Sequence, residues 1–159
     1  MEKDYLINSI TQAFSEITYP GDDDLTVHPL GLDEDFYDSI KGKTWQQLDS
    51  QLLRYHHDCI GVLTARGFQY YIAAFLIEDL KSGSPITDQM FWIFSQAVIE
   101  DRSPIIGISG KAWFDERISM LTPDQKSCLV WYFTNIKEEQ TEDDCAAIDI
   151  VIEKIKEIK

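Results

Sequence analysis

The sequence predicts an all-α fold. Apolar residues recur at three- and four-residue steps along most of the chain, and hydroxyl residues that start helices precede those runs. One long segment, Phe68–Ile77, is apolar nearly all round, as only a helix enclosed by others can be. At 159 residues and 44% hydrophobic content the chain is long enough to bury a substantial core as one domain, residues 1–159, without disulfides or metal.

Leu6, Ile7, Ile10, Ala13, Phe14 and Ile17 place one apolar face on a first helix, which Pro20-Gly21 stops. From Tyr19 to Gly42 the helical period is lost, and the segment reads as a long acidic loop with at most a short helix around Leu32–Ile40. Thr44 with Gln47 forms a capping box, after which Trp45, Leu48, Leu52, Cys59 and Leu63 fall on one helical stripe. Thr64 caps the central helix, and Lys81-Ser82-Gly83 supplies its stop. Thr87 caps the next, with Ile86 as a hydrophobic staple on Phe91, and Phe94, Ala97 and Val98 continue its inner face. Trp113, Phe114, Ile118 and Leu121 mark a short helix. Thr122-Pro123-Asp124-Gln125 combines hydroxyl cap, first-turn proline, acid and glutamine box. Thr141 opens the last helix, in which Cys145, Ile148, Ile152 and Ile155 face inward. About six or seven helices are expected.

Charge narrows the function classes. Fourteen Lys and Arg against 28 Asp and Glu give a net charge of −14, which repels phosphate backbones and anionic lipid surfaces. Nucleic-acid and membrane partners are therefore disfavoured. Eight acids lie between Glu16 and Asp38 with no Lys or Arg among them. The opening residues lack the apolar core and cleavage site of a signal peptide, and no stretch reaches membrane-spanning length, so a cytoplasmic protein is expected. Cys59, Cys128 and Cys145 form no C-x-x-C pair, which argues against a disulfide framework or zinc finger.

Chemistry-bearing patterns are incomplete. In His56-His57-Asp58-Cys59 the two histidines would point about 100° apart on a helix, so they cannot share an ion, and no third group orients a Cys–His nucleophile. His56 reads as a hydrogen-bonded residue at the core edge. Asp22-Asp23-Asp24, with His28 near, does not meet the calcium-loop pattern. Gly107 to Lys111 approximates a phosphate loop but has two residues between its glycines and Ala112 after the lysine. No catalytic residue, metal site or cofactor is assigned.

The order Ala13-Phe14, Tyr19-Pro20-Gly21-Asp22-Asp23, Gly42-Lys43-Thr44-Trp45, Leu52 to His56, Leu63-Thr64 and Phe68 to Phe75 resembles a family of small uncharacterised bacterial proteins. Its pattern runs A-F, P-G-D-D, G-K-x-W and L-x-x-H, and Ala65 and Ala73 stand where it carries proline. The resemblance implies a bacterial, α-helical, intracellular protein and implies no chemistry.

The functional expectation is an acidic protein-interaction module, such as a toxin-neutralising immunity protein or inhibitor. It would present Asp22, Asp23, Asp24, Asp33, Glu34, Asp35 and Asp38 to a basic protein partner. The alternative is a metal-binding protein or hydrolase using Asp22, Asp23, His28 and His56.

Overall fold

The computed structural model describes residues 2–27 and 33–159 and is all-α. Among the described residues there are eight α-helices, against the six or seven expected: α1 Lys3–Ala13, α2 Glu34–Ile40, α3 Ser50–Tyr55, α4 Ala65–Ser82, α5 Ile86–Ile99, α6 Gly110–Met120, α7 Pro123–Lys137 and α8 Glu142–Glu157. Two 3-10 segments, Trp45–Gln47 and His57–Val62, flank α3. No helix among the described residues is long and apolar enough to cross a membrane.

The central helix is the one expected. α4 is buried over almost every side, and α1, α3, α5, α6 and both 3-10 segments pack against it. Phe68, Phe94 and Trp113 meet ring to ring at 5.6–6.3 Å and join α4, α5 and α6 into one aromatic cluster, which Phe133 of α7 extends. Thr64 Oγ1 accepts from Gly67 N at 2.9 Å, and Gly83 ends the helix at φ +74, a conformation that favours glycine. The boxes and caps at Thr122 and Thr141 form as the residue pattern requires.

Two expectations are corrected. The stripe from Trp45 to Leu63 is not one helix. Gln47 Oε1 does accept from Thr44 N at 2.8 Å, but the turn it starts ends at Leu48, whose backbone is extended. Asp49 then restarts the chain by accepting from Leu52 N at 2.8 Å, a local bond that competes with helix continuation. The apolar residues still face inward because each short piece turns on the same core. Thr87 is also not a cap. α5 begins at Ile86, and the Thr87 hydroxyl donates instead to Asp79 Oδ1 at 2.5 Å.

That diversion belongs to a buried polar cluster. Asp79 is 5% exposed and accepts from Thr87 and, at 2.5 Å, from the hydroxyl of the fully buried Tyr132. Burial raises the Asp79 pKa above the ordinary carboxylate value, with the two hydroxyls and the more distant Lys3 pulling it back. Just above the unfolded value of about 3.9, the folded chain therefore holds this proton more tightly than the unfolded chain. Its contribution to stability falls as pH rises through the raised pKa. Asp79→Asn should accordingly gain stability relative to the parent as pH rises from 4 to 7, read as the difference in urea midpoints. A difference independent of pH would contradict this assignment.

Candidate functional site

The acidic segment is built on a rigid base. Gly21 adopts φ +99 and turns the chain, and Asp24 N donates to Gly21 O at 3.1 Å. The strip that follows then docks on the start of α4. Thr64 Oγ1 donates to Asp24 O at 3.0 Å, Thr64 N to Leu25 O at 3.0 Å, and Val27 N to Val62 O at 2.9 Å, with Thr26 and Leu63 forming an antiparallel bridge. Gly67 permits this approach, because a Cβ there would lie 2.2 Å from Leu25 O. Gly67→Ala should destabilise the chain by about 1–3 kcal/mol and shift amide resonances of residues 22–27. Parent-like resonances would show that the strip is not seated on this glycine.

Tyr19 joins the turn to α2. Its hydroxyl donates to Asp22 Oδ1 at 2.6 Å and accepts from Gly42 N at 2.9 Å, just past the end of α2. Burial and the neighbouring Asp22 carboxylate both push the Tyr19 pKa up, so the hydroxyl keeps its proton for that bond. On α2, Phe36 and Ile40 are buried in the core while Glu34, Asp35 and Asp38 are exposed. The turn thus meets the chain just past the C-terminal end of α2, and both turn and helix carry exposed carboxylates.

The seven acids expected to bind a partner are not equivalent. Asp23, Glu34, Asp35 and Asp38 are exposed, and Asp22 is exposed while holding Tyr19. Asp24 is half-buried and pairs with Arg66 at 3.6 Å, the one ion pair any of them makes among the described residues. Asp33, at the N-terminal end of α2, is 9% exposed and so is removed from the accessible face. The nearest basic residue in sequence, Lys41, lies over the Tyr37 ring at 5.6 Å rather than on a carboxylate.

The residues of the metal or hydrolase alternative are not brought together. His28 lies outside the described residues. Asp22 is engaged by Tyr19, whereas His56 is buried with its ring 5.3 Å from Phe36 and 4.8 Å from Tyr55. Among the described residues its ring packs on these two aromatic rings instead of making the expected side-chain hydrogen bond. Desolvation lowers the His56 pKa against the opposing pull of Asp58 and Asp35. Burial and Asp58 push the Cys59 thiol up to about 12, so it is not a thiolate at neutral pH and no Cys–His nucleophile is poised here. Among the described residues no three His, Cys, Asp or Glu side chains gather where a metal ion could be held.

Sequence reasoning missed an open cleft of about 950 Å³ between α1 and α7 that reaches the first turns of α4. Ser9, Gln12, Ala13 and Glu16 line one wall, and Asp124, Ser127, Cys128 and Trp131 line the other. Each row has helical spacing, which was a visible signal, but only the fold sets the two rows opposite one another. Gln125 is 2% exposed and ties the walls together, donating through Nε2 to Ala13 O at 3.1 Å and accepting at Oε1 from Thr122 N and Gln69 Nε2. No family model, curated protein or solved structure matches the chain.

Proposed function

We propose that the chain is a non-enzymatic interaction module of the cytoplasm that binds a basic surface of another protein, in the manner of an immunity protein or inhibitor. The observation that carries this reading is the set of exposed carboxylates on the turn and α2. Asp22, Asp23, Glu34, Asp35 and Asp38 are all exposed, and none has a Lys or Arg within ion-pair distance among the described residues. Mutual repulsion among unpaired carboxylates is relieved when a cationic surface covers them, and the same field steers that surface in.

The test uses tagged chain as bait in the source cell, beside a variant carrying Asp23→Asn, Glu34→Gln, Asp35→Asn and Asp38→Asn. Asp22 and Asp24 are left in place because they hold Tyr19 and Arg66. The parent should retain a basic protein at low salt and release it as salt rises, and the variant should not retain it. Identical partner sets for both baits would remove the acidic surface from any interface.

A further inference from the structure

We infer that the loop between α5 and α6 is a self-association element: Ile106 of one copy inserts into the pocket that Ala97, Val98, Phe114 and Ile158 line on a second copy, and that copy's Ile106 inserts in return. The inference does not draw on the acidic surface. From Ser103 to Ser109 the sequence holds three isoleucines and no charged residue, in a chain of net charge −14. Ile106 is 97% exposed and Ile108 is exposed beside it, whereas Ile105 packs back onto the core. The loop is held in this shape from both ends. Ile105 N donates to Ser103 Oγ at 2.9 Å, Gly110 N to Asp101 O at 3.1 Å, and Lys111 N to Asp101 Oδ1 at 2.8 Å. Pro104 is seated against Gly61, where a Cβ would lie 2.7 Å from it, and Gly107 turns the tip at φ +97. An apolar side chain fixed in solvent by a preformed loop loses little conformational freedom when another surface covers it.

The base of the same loop carries the complementary shape. Asp101 and Lys111, which close the loop, also border a pocket of about 440 Å³ between the C-terminal ends of α5 and α8 and the start of α6. Ala97 and Phe114 are buried at its floor, and Val98 and Ile158 are half-buried around them. Its more exposed rim sets Asp101, Asp115 and Glu157 against Lys111 and Lys154, with Lys111 paired to Asp115 and Lys154 to Glu157 at 3.2 Å. Three carboxylates against two ammonium groups leave this rim close to neutral, so a second acidic chain meets little repulsion here, whereas a basic protein is drawn to the unpaired carboxylates of the turn and α2. A knob that rises from the rim of a hole is self-complementary under two-fold rotation, because each copy presents both halves of the contact. Ile106 stands in solvent and leaves its own pocket unfilled, and the pocket volume exceeds one isoleucine side chain.

The test is sedimentation velocity of the full chain at physiological ionic strength, from about 1 μM to about 1 mM, a range that covers both weak and firm pairing. The parent should pass from monomer to dimer within that range, and Ile106→Asp should raise the dissociation constant at least about tenfold while leaving the amide spectrum of the free chain intact outside residues 103–109. Insertion into the pocket is read separately. Isotope-labelled Ile106→Asp chain, whose pocket is unaltered, should show shifts at residues 97–98, 111–115 and 154–158 when unlabelled parent is added, and none when unlabelled Ile106→Asp chain is added. A parent that stays monomeric, equal self-association of parent and variant, or shifts confined to residues 103–109 would overturn the inference. Flotation of a monomeric parent with phosphatidylcholine vesicles would likewise overturn it and assign the loop to a lipid surface. The variant neutralised at Asp23, Glu34, Asp35 and Asp38 should dimerise as the parent does, so failure of the acidic-surface reading is seen independently.

Discussion

Replacing Phe75 by Ala should lower the unfolding free energy by about 3–5 kcal/mol, read from the urea or guanidinium midpoint at constant slope. The side chain is wholly buried on α4, with its ring 6.4 Å from that of Phe36. Truncation removes the transfer free energy of the ring and leaves a void where α2 meets the central helix, and close-packed neighbours relax into such a void only in part. Because Phe36 is one of the two buried residues that anchor α2, the loss should also loosen the acidic helix, visible as faster amide exchange over residues 34–40. A loss below about 1 kcal/mol would show that α4 is not the centre of the core.

Arg117→Ala is expected to cost about 2–4 kcal/mol, through both a cavity and an orphaned acceptor. Arg117 is 2% exposed on α6, its guanidinium 4.9 Å from the Trp113 ring. Nη2 donates to Leu63 O at 2.6 Å and Nη1 to Trp113 O at 3.2 Å, while Nε has no partner. Burial pulls the pKa down to about 10, still far enough above neutrality that the group is a cation at pH 7. Its nearest carboxylate, Glu116 at 3.7 Å, is largely solvated and compensates little. The structural value of the residue therefore lies in the Leu63 carbonyl, which sits where the Thr26 strip meets the chain leading into α4. Arg117→Met separates the two causes: it fills much of the volume but still orphans that carbonyl, so it should retain a loss of roughly 1–3 kcal/mol. A neutral Arg117→Met would mean that the hydrogen bond contributes nothing net.

Helix starts were legible where the signal is local. At Thr64, Thr122 and Thr141 a hydroxyl needs only the N–H groups two or three residues on, and each cap forms where the residues place it. Local signals failed where a distant group competed. The Thr87 hydroxyl resembles a cap in sequence but meets Asp79 from the preceding helix, and neither residue reveals that the other is buried beside it. Arg117 is similar: its type suggests a solvated residue although its spacing, four after Trp113 and four before Leu121, puts it on the apolar face, and only the approach of the Leu63 carbonyl makes burial tolerable. The acid run from Asp22 to Asp38 was legible as charge. Its division into the exposed Glu34, Asp35 and Asp38, the paired Asp24 and the buried Asp33 was not, since that depends on how α2 and the Gly67 contact seat the chain. The cleft draws on three separated stretches, and no pattern within any one of them announces it.

The most direct test of the docking account is the association rate constant of the parent chain with the basic partner that its bait recovers, measured against ionic strength. The parent should associate fast at low salt and slow steeply as the Debye length shortens from about 30 Å at 0.01 M to about 8 Å at 0.15 M. The variant neutralised at Asp23, Glu34, Asp35 and Asp38 should associate at least about tenfold more slowly at low salt, with a flatter salt dependence and unchanged stability. Equal low-salt rates for parent and variant would contradict the account and leave the acidic surface with a role in solubility alone.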